Sequence, residues 1–158
     1  MKKGVVGVLG AVAGVVVGAA AVNKLSGNTV EAKSEKADKF KGYYNMLNQW
    51  LILKQEGKSL ETYFTDNGYK TVAIYGMGEM GNRLYEELKD TTVEVKYAVD
   101  KNAMGIYSEL EIVDNENTFS PVDVMVVTAT FAFDEIENEL QDKIDCPIVS
   151  LDDVVYEV

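Results

Sequence analysis

The chain has 158 residues, enough for one domain plus an appendage. It carries 26 Asp and Glu against 15 Lys and Arg, a net charge of -11, and Lys143 is the only basic residue after Lys101. Such a surface repels phosphate backbones, so nucleic acid is not an expected partner. Histidine is absent and Cys146 is the single cysteine. That excludes an intrachain disulfide, Ser–His and Cys–His nucleophiles and most zinc sites, so no catalytic residue and no metal ligand is assigned. Cys146 precedes Pro147 and an apolar pair, which predicts a buried thiol in or before a strand.

Lys2 and Lys3 introduce an uncharged run from Gly4 to Val22, rich in Val, Ala and Gly. As a helix it would be roughly 28 Å long, enough for a bilayer core. The expectation is a membrane anchor over residues 1–23. Gly10, Gly14 and Gly18 recur every four residues, a spacing that lets two membrane helices approach closely, so a homodimer through this stripe is a second expectation. A cleaved signal peptide ending near Ala19-Ala20-Ala21 stays open beside it. Lys24, Lys33, Lys36, Lys39 and Lys41 follow the run, against Lys2, Lys3 and the amino terminus before it. The positive-inside rule then favours a single-pass protein with a cytoplasmic C-terminal domain.

Residues 24–38 are polar and charged and read as a linker that can turn helical in its later part. Residues 39–69 read as a helical pair. In the first helix Phe40, Tyr43, Tyr44, Leu47, Trp50 and Leu51 share one face, with Lys41, Asn45, Asn48 and Gln49 opposite. This stripe is expected to dock on the following domain or on a partner chain. Gly57 ends that helix. Ser59 caps a shorter one, with Leu60, Tyr63 and Phe64 facing inward, which stops at Asn67-Gly68.

From Lys70 onward strands and helices alternate. Thr71–Tyr75 is a buried strand and Glu79–Lys89 a helix with Met80, Leu84 and Leu88 on one face. Val93–Val99 is a strand with one less covered face. Ile106–Val113 is ambiguous between strand and turn. Val122–Val127 is a strand introduced by Pro121. Phe133, Ile136, Leu140 and Ile144 mark a helix. Pro147–Leu151 is a last strand and Asp152–Tyr156 a short terminal helix. The alternation predicts an α/β fold: one Rossmann-like parallel sheet of about five strands over residues 70–158, ordered 3-2-1-4-5.

Gly76-Met77-Gly78-Glu79-Met80-Gly81 follows the first strand and opens a helix inside a strand–helix–strand unit. In that context the first glycine makes the tight turn and the second admits the backbone of the loop to a pyrophosphate. The third lets helix and strand pack closely, and the helix N-terminus offers N–H groups to the phosphates. Asp100 ends the second strand about 20 residues on, the place of a ribose-binding acid that disfavours a 2′-phosphate. Lys101 beside it could instead meet a phosphate. Thr128 follows the fourth strand and either faces the ligand or caps the next helix. Asp134 and Glu135 suit the dipole of that helix. Arg83, the only arginine, sits on the first helix after the loop, where a solvated face competes with a phosphate contact. The cofactor expected from these residues is NAD or another nucleotide with a free ribose.

The stretch Val72-Ala73-Ile74-Tyr75-Gly76-Met77-Gly78-Glu79-Met80-Gly81, with Tyr97-Ala98-Val99-Asp100-Lys101-Asn102, resembles the Rossmann-like domains of bacterial cell-surface polysaccharide enzymes. These include the domain preceding nucleotide-sugar dehydratases, the N-terminal domain of sugar acyltransferases, the C-terminal domain of sugar C-methyltransferases, and stand-alone forms called nucleoside-diphosphate-sugar epimerase-like. Trp50 through Gly57-Lys58-Ser59-Leu60 and Ser150-Leu151-Asp152-Asp153-Val154 share the likeness, which runs from about Phe40 to Val158. It implies a nucleotide sugar as the alternative to NAD. Epimerases of this kind carry their chemistry in a further substrate half, so catalysis is not expected here. The resemblance favours a membrane-anchored, non-catalytic nucleotide-binding module in envelope polysaccharide assembly. A ligand-free interaction scaffold and an enzyme subunit completed by a partner remain open.

Overall fold

The computed structural model of the protein describes residues 32–158, apart from 106, 107 and 117. The anchor over residues 1–23, the Gly10, Gly14 and Gly18 stripe and the start of the linker lie outside the described residues, as does Ile106. No helix among the described residues is long and apolar enough to cross a membrane. The chain divides into two units, Met1–Tyr43 and Tyr44–Val158. In the first, residues 32–43 are helical and none is buried. The later part of the linker is thus helical, and composition favours it: Ala32, Lys33, Glu35, Lys36 and Ala37 are strong helix formers with no glycine or proline among them.

The second unit opens with helical residues 44–55 (α1) and Glu61–Asp66 (α2). Gly57 and Gly68 end them with φ of 75° and 76°. Ser59 lies one residue before the N-cap, and its Oγ accepts the Glu61 amide at 3.2 Å. The face that α1 buries matches the expected one at Trp50 and departs from it elsewhere. Met46, Trp50 and Leu53 enter the core, whereas Tyr44 is 70 % and Leu51 55 % exposed. Two apolar stripes coexist on this helix. The core takes the one at spacing four and three that Leu60, Tyr63 and Phe64 of α2 accompany. Glu87 fastens the pair to the body. Its carboxylate accepts Lys54 Nζ at 2.8 Å, Ser59 Oγ at 3.2 Å and the Leu60 amide at 3.3 Å.

Five parallel strands follow: Thr71–Tyr75 (β1), Glu94–Val99 (β2), Ile112–Val113 (β3), Val124–Val127 (β4) and Ile148–Ser150 (β5). Their order is β3-β2-β1-β4-β5, as the alternation of elements predicted. The helices between and after them are Glu79–Leu88 (α3), Phe133–Leu140 (α4) and Leu151–Tyr156 (α5). Chain order runs outward from β1 in opposite directions, so right-handed crossovers put α3 and α4 on opposite faces. On one face Ala73, Tyr75, Tyr97, Val99, Met125 and Val127 pack with Ile136 and Leu140 of α4. α3 packs on β1 and β2 from the other, burying Gly81, Leu84 and Leu88. Register brings Tyr75, Val99 and Val127 level, so three chain segments leave the sheet together at its carboxyl edge.

Candidate functional site

That edge holds the glycine loop. Gly76 has φ of 93°, a conformation that side chains rarely adopt, and a Cβ there would stand 2.7 Å from Thr128 Oγ1. A Cβ at Gly81 would collide with the carbonyl oxygen of Gly76, so the third glycine is required for the close approach of α3 to β1. Gly78 differs from both. Its φ is negative, and a Cβ would meet nothing within 4 Å. The space above the second glycine is open, on the side where the sequence expects a pyrophosphate. Gly78 is also the N-cap of α3 and offers no side-chain cap, while the first intrahelical bond runs from the Asn82 amide to Gly78 O at 3.0 Å. The amides of Glu79, Met80 and Gly81 thus have no carbonyl four residues back within the helix, and the dipole adds partial positive charge there. The exposed Glu79 in that first turn supplies an opposing negative charge.

Two side chains hold the loop from opposite sides of β1. Asp100 Oδ2 accepts the Met77 amide at 2.8 Å and Oδ1 accepts the Asn102 amide at 2.8 Å. The Asp100 carboxylate, expected beside a ribose, therefore also braces the loop. An ionised carboxylate offers about four acceptor positions, so two remain for hydroxyl donors. Thr128 is 4 % exposed, and its Oγ1 donates to Gly76 O at 2.7 Å. This bond turns the hydroxyl towards the loop. A short 3-10 turn, Thr130–Ala132, comes before α4, whose N-cap is Ala132 without a side-chain bond. Met77 is buried, Met80 half-buried and Glu79 exposed. Arg83 lies on the exposed side of α3, lining a shallow groove with Leu47, Trp50 and Leu51 of α1, which matches a solvated face.

Sequence reasoning missed three contributors. Asn82 Nδ2 donates to Met77 O at 3.1 Å and Gly78 O at 2.9 Å, clamping the loop from inside α3. The signal was a polar residue four positions after the second glycine. Asp152 stands just past β5 and bonds to Thr130, while burial pushes its carboxyl up. Asn115, Glu139 and Lys143 form the third group. With Lys101, Asp114 and Glu116 they line a polar cavity of about 690 Å³ reached by the ends of β2 and β3. There Asn115 Nδ2 donates to Glu139, which holds the Glu139 carboxyl below its ordinary value, and Lys101 lies 3.3 Å from the same carboxylate. Asn115 Oδ1 and Tyr75 OH are buried without a hydrogen-bond partner.

The Tyr-x-x-x-Lys spacing of short-chain epimerases, expected to be missing from this chain, occurs twice, as Tyr85–Lys89 and Tyr97–Lys101, and the fold engages a member of each. Lys89 pairs with Glu86 at 2.7 Å, and the buried Tyr97 donates its hydroxyl to Ser120 O at 2.6 Å. Cys146 is half-buried and burial pushes its thiol up, the state of an unreactive sulfhydryl. Among the described residues no three Asp, Glu or Cys side chains are grouped to hold a metal ion. No known protein family matches the chain, and no curated protein or solved structure is significantly similar to it.

Proposed function

We propose that the protein is a membrane-anchored nucleotide-binding module without catalysis of its own, holding NAD or a nucleotide sugar over Gly76–Gly81. The observation that carries this reading is the contrast among the three glycines. Gly76 and Gly81 are needed by the fold, whereas nothing within 4 Å of Gly78 explains its lack of a side chain. A ligand backbone approaching that point would explain it. The uncapped start of α3 supplies amides for phosphate, and Asp100 supplies acceptors for a ribose. Residues 4–22 would tether the module to the membrane with the sheet on the cytoplasmic side, and service in envelope polysaccharide assembly follows from the resemblance of the loop and second strand.

Thermal unfolding of the full-length chain with NAD, NADP, coenzyme A and several nucleotide sugars tests the proposal. A ligand present at about 100 times its Kd should raise stability by about 2.7 kcal/mol. The expected result is a shift with NAD or with a nucleotide sugar. No shift with any of these compounds would favour the ligand-free scaffold instead.

A further inference from the structure

Residues 32–43 form an exposed helix with four lysines against Glu35 and Asp38. At 100° per residue Lys33, Ala37 and Phe40 share one stripe, which Tyr44, Leu47 and Leu51 continue in the sequence at the same spacing. Lys36 falls on one side of that stripe and Lys41 on the other. Glu35 and Asp38 fall opposite. Phe40 is 59 % exposed, with Lys36 Nζ 6.0 Å from its ring centroid, and Lys39 Nζ stands 5.9 Å from the Tyr43 ring.

Within residues 32–43 the stripe carries Ala37 and Phe40 after Lys33, is edged by Lys36 and Lys41 and is backed by Glu35 and Asp38, a pattern that suits a helix lying in the plane of a membrane surface. Charge selects the kind of surface. The chain as a whole is at -11, so an anionic bilayer repels most of it and attracts this segment. We propose that the helix of residues 32–43 lies along an anionic bilayer surface, with Phe40 in the boundary between headgroups and acyl chains and Lys36 and Lys41 reaching lipid phosphates. The lysine stems cover apolar surface while their ammonium groups stay at the headgroups. The inference stands apart from the nucleotide reading and does not require residues 4–22 to span the membrane.

The test uses the full-length chain with Phe40→Trp, read against the unmodified chain in which the buried Trp50 sets the baseline. Vesicles are made of phosphatidylcholine alone or with one-third phosphatidylglycerol, both containing lipid brominated near the headgroup. The added tryptophan should be quenched with phosphatidylglycerol and not without it, and added salt should reverse the effect. Each lysine at an anionic surface contributes about fivefold in binding, so Lys36→Glu with Lys41→Glu should weaken the quenching response at least about twentyfold. An inserted anchor would make the chain sediment with both vesicle types while leaving this dependence intact, which separates the two ideas. Equal quenching in both vesicles, quenching in neither, or quenching that survives the double substitution would overturn the proposal. A second copy of the chain covering Phe40 would give the result without quenching in either.

Discussion

At the scale of single residues, the site divides between groups that build the loop and groups left over for a ligand. Thr128 and Asn82 are builders, since both spend side-chain polar atoms on loop carbonyls. Asp100 is both. The sequence placed Asp100 at the end of β2, but its bond to the Met77 amide depends on how the loop folds back across the strand, which spacing does not encode. Thr128 was ambiguous for a similar reason: a hydroxyl at a strand end can turn inward or outward, and the close passage of Gly76 decides it. A prediction belongs at this scale. NAD should bind better than NADP, because a 2′-phosphate would meet the Asp100 carboxylate at a cost of several kcal/mol, partly offset by Lys101. Asp100→Asn keeps the shape and one acceptor while removing the charge. Calorimetry should show it narrowing the preference from at least about tenfold towards parity, mainly through tighter NADP binding. Equal affinities in the unmodified protein would remove Asp100 from the ligand site.

At the scale of elements, the strands were legible because continuous apolar runs bounded by turns have few alternatives. β3 was legible only in part: it is the last two residues of the ambiguous stretch Ile106–Val113, short and set between Glu111 and Asp114. The helix preceding the sheet was legible as a helix, and its buried face only at Trp50. Its sequence carries two apolar stripes, one through Tyr44, Leu47 and Leu51 and one through Met46, Trp50 and Leu53, and periodicity alone does not rank them. The structure ranks them by burial, and denaturation can check it. Met46→Ala removes a fully buried side chain and should cost about 2–5 kcal/mol. Leu51→Ala, at a site 55 % exposed, should change stability by no more than about 0.5 kcal/mol. Urea unfolding that ranked the two substitutions the other way would assign the core to the wrong stripe.

At the scale of the whole molecule, the order β3-β2-β1-β4-β5 puts the reversal of strand order between β1 and β4. Parallel α/β sheets bind ligands at the carboxyl edge at such a point, and the glycine loop and Thr128 flank it here. That much was legible in the sequence, because the loop sits between a strand and a helix in an alternating chain. The polar cavity around Glu139 and Asn115 was not, since it joins residues from β2, β3 and α4 that no local pattern connects. The central claim is that the space over Gly78 belongs to a ligand. Calorimetric titration of NAD and of a nucleotide sugar into the unmodified full-length chain and into Gly78→Val tests it most directly. The valine side chain enters open space, but Gly78 is the N-cap of α3, where valine is less favoured than glycine, so the variant should lose about 1 kcal/mol and stay folded. The account predicts binding of one of the two compounds to the unmodified chain and none to the folded variant. Equal binding to both proteins, or no binding to the unmodified chain, would contradict it.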